Sequence, residues 1–331
     1  MVRIALWLIC VAFASQCHSL IAAPIHDAVL ANKLDDVKRL VKADSEVVSQ
    51  PDDNSLLPLH YAAVKDHAKI ITLLLESGAK VDATTKSGYT PLHLACSEGK
   101  RKAVAALLTG KANVNSTDTK KYTPLHHAVE GNYIEIVTLL VEAKAIVDAK
   151  ADNGQTPLQW SAWNGYLKLA EYLIGHKADP KLADSSGYTA LHMAAWNDSP
   201  KIATLLLLHK ADVDAKPKDE TPLHLAAFHG HSNVIKALLS HPEINLNATT
   251  NADADLEGHS EETPLHIAAR WCHIKVVNAL LGTPVLGRLE INVNAIDEHR
   301  ETPLHRAAYY GHFEVVKRLL QHSRIDVNAT L

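Results

Sequence analysis

A threonine recurs along this chain on a fixed period. Thr90, Thr123, Thr156 and Thr189 stand 33 residues apart and open the similar hexapeptides TPLHLA, TPLHHA, TPLQWS and TALHMA. Thr221 follows with TPLHLA, Thr263 with TPLHIA and Thr302 with TPLHRA, while LPLHYA at Leu57 and a degenerate PIHDAV at Pro24 lie upstream. A period of this length points to a linear array whose units bury their apolar faces against their neighbours. Within each unit the chemistry is helical. Threonine is a strong N-cap, and proline suits the first helical position, where its missing N–H costs nothing. Leu92 and Ala95, like Leu125 and Ala128, fall three apart on one helix face. A second apolar helix follows, as in IEIVTLLV from Ile134 to Val141.

These residues resemble the ankyrin repeat over residues 23–331, with repeat starts near 23, 57, 90, 123, 156, 189, 221, 263 and 302. The resemblance implies an all-α solenoid of about nine stacked helix-turn-helix units joined by β-turn or hairpin connections. It also implies that the histidine of the TPLH signature bonds to backbone and links adjacent repeats. Eight of the 21 histidines (His26, His60, His93, His126, His192, His224, His266, His305) are then structural, and His231 and His312 follow the turn glycine as the pattern expects.

Several departures from the pattern stand out. The glycine that ends the second helix is present as Gly78 but is replaced by Lys111, Lys144, Lys177 and Lys210 in four successive repeats. A non-glycine residue in a left-handed cap costs roughly 1 kcal/mol, which a lysine at the helix C-terminus recovers in part. Two insertions stretch the period to 42 residues between Thr221 and Thr263 and to 39 between Thr263 and Thr302. The fifth repeat reads QWSAWNG (159–165), with Gln159 where the histidine should stand and two tryptophans beside it.

Outside the repeats, Arg3 and the apolar run IALWLICVAFA (Ile4–Ala14) match a secretory signal peptide over residues 1–23. The expected location is therefore secreted or periplasmic, with an uncleaved N-terminal membrane anchor as the alternative and no stable membrane insertion after cleavage. A formal net charge of −4 and the lack of a basic run argue against a nucleic-acid partner. No Cys/His spacing suggests a metal site. Asp253, Asp255 and Glu257 before Gly258 imitate the start of a calcium loop, but Pro264 falls where its final glutamate is required. No phosphate loop, nucleophile elbow or acid–base dyad is visible, so neither a cofactor nor catalysis is expected. Four N-X-Ser/Thr sequons stand at Asn115, Asn197, Asn247 and Asn328; three of them coincide with the repeat's own VNA position.

The resemblance places partner binding on the concave face, at the two positions before the inter-helix turn. The first three full repeats hold Val64/Lys65, Ser97/Glu98 and Glu130/Gly131 there. The last five hold Trp163/Asn164, Trp196/Asn197, Phe228/His229, Arg270/Trp271 and Tyr309/Tyr310. Aromatics and arginine are the residues enriched at binding hot spots. Trp160, three residues before Trp163, can face the groove or pack between repeats. These residues predict a non-enzymatic, monomeric scaffold that binds a protein through repeats five to nine. Two alternatives stay open: a scaffold that stacks a sugar or extended peptide on the same strip, and an enzyme with a site in the 245–262 insertion.

Overall fold

The computed structural model describes residues 24–217, 220–251, 261–282 and 290–330. The leader and the calcium-like segment lie outside the described residues, as does most of each insertion. The described residues form eighteen α-helices and one short 3-10 turn (Ser45–Ser49), with only an isolated antiparallel bridge between Ala183 and Thr189. The chain makes two compact units, one ending at Ala145 and the other beginning at Ile146.

In the first unit the helices pair as α1 (Pro24–Leu30) with α2 (Leu34–Ala43), α3 (Pro58–Val64) with α4 (Ala68–Glu76), α5 (Pro91–Ser97) with α6 (Arg101–Thr109), and α7 (Pro124–Glu130) with α8 (Ile134–Glu142). The second unit holds α9 (Pro157–Trp163) with α10 (Leu167–Gly175), α11 (Ala190–Trp196) with α12 (Pro200–Leu208), and α13 (Pro222–Phe228) with α14 (Ser232–Leu239). It ends with α15 (Pro264–Arg270) and α16 (Ile274–Leu281), then α17 (Pro303–Tyr309) and α18 (Phe313–Leu320). Within each unit, first helices pack on first helices and second on second, which is the stacking of a solenoid. The leucine two residues after the cap is buried at Leu92 and Leu125 in one unit and at Leu158, Leu191, Leu223 and Leu265 in the other, whereas Leu304 of the last repeat is half-buried. Each buried leucine contributes about 1.5–3 kcal/mol of apolar burial.

The signature also closes a hydrogen-bond circuit. The Thr90 N–H donates to Nδ1 of His93 at 3.1 Å, while the His93 N–H donates to Thr90 Oγ1 at 3.3 Å. Because Nδ1 accepts, the ring proton sits on Nε2, and Nε2 donates to the carbonyl that precedes the next cap. His93 reaches Tyr122 O at 3.1 Å, His192 reaches Glu220 O at 3.2 Å and His266 reaches Glu301 O at 3.0 Å. Burial pushes these three imidazoles down to about 4, so they are neutral links between repeats.

Side chains at the VDA/VNA position add a second set of links. Asp82 accepts from the Asn113 N–H at 3.0 Å, and Asn247 accepts from the Asn292 N–H at 2.7 Å. The Asn247 amide also donates to Glu290 O at 2.9 Å, and Asn115 donates to Lys144 O at 3.3 Å. Two of the four sequon asparagines therefore have their amide nitrogens committed to neighbouring backbone. The four cap lysines do adopt the left-handed conformation, with φ of 64° at Lys111, 69° at Lys144, 70° at Lys177 and 65° at Lys210.

Candidate partner-binding face

Each first helix ends at the eighth residue of its repeat and hands over to a turn whose tenth residue has positive φ. Gly165 and Gly230 fill that position, and a Cβ on Gly230 would stand 2.7 Å from Nδ1 of His273. Asp198 (φ 44°) and Cys272 (φ 58°) occupy it in repeats six and eight. These turns hold the residues before them at helix ends, where solvent can reach them.

Trp163 is 41% exposed, Trp196 40% and Trp271 37%, and Tyr309 and Tyr310 are exposed as well. Phe228 and His229 are half-buried between their neighbours. The rings form a continuous series within the second unit. Trp163 lies 5.9 Å from Trp196 between centroids, Trp196 lies 4.5 Å from His229, and Phe228 lies 5.0 Å from His229 and 5.3 Å from Trp271. Tyr309 and Tyr310 form a pair of their own at 5.0 Å. Such aromatic contacts stabilise by about 0.5–1.5 kcal/mol each beyond area burial, so the strip is held in shape.

Histidines from the following repeat fix the helix ends from behind. His231 bonds Ala195 O at 3.0 Å, His273 bonds Phe228 O at 2.9 Å, and His312 bonds Arg270 O at 2.8 Å. His273 follows Cys272 rather than a glycine, so the glycine-histidine pattern in the sequence did not reveal it. The position itself, ten residues after the cap threonine, was the signal that could have found it.

Arg270, Trp160 and Asn164 are less open to solvent than Trp163, Trp196 and Trp271. Arg270 is only 6% exposed, because its Nη2 is paired with the buried Glu262 carboxylate at 3.0 Å. Its guanidinium carbon nonetheless lies 5.4 Å from the Trp271 ring centroid. Trp160 is half-buried rather than displayed, and the Asn164 amide donates to Trp160 O at 2.9 Å, closing its own helix end. Asn197, by contrast, is exposed beside Trp196.

A largely buried ion cluster joins Arg306 to three carboxylates, one of them the partner of Arg270. Arg306 donates from Nε to Asp297 at 2.8 Å and pairs with Glu301 at 2.9 Å, with Glu262 Oε1 at 3.7 Å. Burial pushes the Glu262 carboxyl up to about 7, against the opposing pull of Arg270 and Arg306. The Glu262 backbone is tied to Thr250 (Thr250 N–H to Glu262 O, 3.1 Å), which closes the base of the first insertion. Among the described residues no group of histidine, cysteine, aspartate or glutamate could hold a metal ion. Nor is any described helix long and apolar enough to cross a membrane.

The family model for ankyrin repeats (three copies) matches residues 25–118, 107–184, 174–250 and 246–330. The chain belongs to the ankyrin-repeat family. A protein of Neisseria meningitidis serogroup B described as an ankyrin repeat protein is 34% identical over 59 residues, which are 18% of this chain and 23% of that protein. The chain thus aligns with less than a quarter of that relative's length. Among solved structures, the ankyrin repeat domain of Bcl-3, a member of the IkappaB protein family, is similar at a TM-score of 0.58 and 29% identity. That match covers 61% of this chain and 92% of the other. Ankyrin repeats are typically interaction scaffolds, so the family points to protein partners.

Proposed function

We propose that this chain is an exported, non-enzymatic scaffold that binds a partner protein through the helix ends of repeats five to nine. The observation that carries the reading is the ring series Trp163–Trp196–His229–Phe228–Trp271, which keeps all three tryptophans open to solvent. A core-filling aromatic is covered by its neighbours; a contiguous series left more than a third exposed at three tryptophans is the composition of a recognition surface. Phe228 and His229 support the tryptophans from between, while Tyr309 and Tyr310 extend the face. Export rests on the Ile4–Ala14 run alone.

Affinity capture from candidate host or envelope extracts tests the proposal, using the wild type and Trp163→Ala/Trp196→Ala side by side. A protein retained by the first and lost from the second supports it. Equal retention by both, with helicity unchanged, contradicts it.

A further inference from the structure

The electrostatics of the two units differ in a way that bears on what the strip accepts. Residues 146–331 carry 17 lysines and arginines against 22 aspartates and glutamates, a formal charge of −5. Residues 1–145 carry 16 against 15, so the whole acidic excess lies in the part that holds the aromatic strip. Locally the imbalance has the same sign. Asp198 follows Trp196 and Asn197 directly, is exposed, and stands in the left-handed turn position. The one cation of the strip, Arg270, is turned inward against Glu262 at 3.0 Å and is only 6% exposed. Lys168, Lys201 and Lys275 stand past the turns, on the second helices.

The rings add to this. Indole and phenyl faces carry the negative side of the aromatic quadrupole and attract ammonium and guanidinium groups. Arg270 over Trp271 is an instance already built into the fold. The first helices also end at the strip, so the partially negative C-terminal ends of five helices lie along it. Three of those carbonyls are met by His231, His273 and His312. Among the described residues, an acidic segment or a bare anion finds no free cation along positions eight to ten of these repeats. A cationic one finds the ring faces and Asp198.

We infer that the partner presents a basic segment to this face, with lysine or arginine side chains laid over Trp163, Trp196 and Trp271. The inference rests on the reading of the strip as a binding surface and deepens it to a partner chemistry. It requires that binding weaken with salt as well as with loss of the rings.

The test titrates an oligo-arginine peptide, with an oligo-glutamate peptide as control, into the full chain while tryptophan fluorescence is read. Oligo-arginine should quench the signal at low salt and oligo-glutamate should not. Trp163→Ala/Trp196→Ala should weaken oligo-arginine binding about tenfold, the loss expected when ring faces carry the contact. Asp198→Asn, whose replacement tolerates the left-handed turn, should weaken it by about two- to fivefold without altering packing. Equal binding of both peptides overturns the inference, as does oligo-arginine binding that ignores Asp198 and both tryptophans. If a captured protein depends on Trp163 and Trp196 while oligo-arginine does not bind, the cationic inference fails and the strip stands. If the captured protein is indifferent to both tryptophans, the reading of the strip itself fails.

Discussion

Arg306 lies nine residues after Asp297 and closes on the same carboxylate oxygen with two nitrogens, Nε at 2.8 Å and Nη2 at 2.7 Å. The same nine-residue relation joins Tyr61 Oη to Asp52 at 2.6 Å and His127 Nε2 to Asp118 at 3.6 Å. In each case the aspartate also receives backbone N–H groups of its own turn, as Asp297 does from His299 and Glu301. The turn is thereby locked to the first helix that follows it. Breaking a buried pair by removing one partner costs about 3–5 kcal/mol, because the other charge stays buried. Arg306→Ala should destabilise the second unit by that amount in urea unfolding, while Asp297→Ala should in addition free the amides of His299 and Glu301 to hydrogen exchange.

Gln159 takes over the histidine's place in the circuit. Its Oε1 accepts from the Thr156 N–H at 2.7 Å, and its Nε2 donates to Tyr188 O at 2.6 Å. One acceptor and one donor at the right reach suffice for the link, and an amide supplies both. Gln159→His should therefore change stability by less than about 1 kcal/mol, whereas Gln159→Ala, which orphans a buried donor and acceptor, should cost about 2–4 kcal/mol. Thermal unfolding of the two variants checks both.

The same chemistry gives a pH dependence. His93, His192 and His266 sit at about 4 in the fold, below the ordinary histidine value of 6.5. A depressed folded value means the unfolded chain binds protons first. Stability is then full above 6.5 and falls as the pH drops from there toward 4, on the order of 3 kcal/mol for each histidine. Glu262, raised from 4.5 to about 7, acts with the opposite sign: its contribution is full below 4.5 and lost as the pH rises through 7. Three histidines outweigh one glutamate, so unfolding midpoints should fall between pH 6.5 and pH 4. His192→Gln, which reproduces the arrangement at Gln159, should flatten that decline.

The four cap lysines predict a gain. Each holds φ near 65–70° at a position where glycine carries no steric penalty. Replacing any one of Lys111, Lys144, Lys177 or Lys210 by glycine should stabilise its unit by about 0.5–1 kcal/mol, read as a higher midpoint in urea. An unchanged midpoint would mean that the lysine's favourable place at the helix C-terminus offsets the strain in full.

The array was legible because its determinants are local and repeated: Thr90, Pro91, Leu92 and His93 act within one turn of helix. The left-handed lysines were legible for the same reason, since register alone sets their backbone. What the sequence did not show was competition between neighbours for a side chain. Arg270 has the register of a displayed residue, yet Glu262, eight residues earlier in the chain, draws it under cover. Asn164 likewise turns back to the carbonyl of Trp160. Whether a side chain at the groove position faces solvent or a buried partner depends on distances the repeat period does not encode. The nine-residue pairs were present in the sequence as Asp52/Tyr61, Asp118/His127 and Asp297/Arg306, but tyrosine, histidine and arginine share no pattern until the structure brings each to an aspartate.

Backbone hydrogen exchange of the chain with and without its captured partner tests the central claim most directly. Binding through the strip should slow exchange at residues 163–165, 196–198, 228–230 and 271–273, where the first helices hand over to their turns. Protection confined to the second helices, or to residues before Ala145, would contradict it.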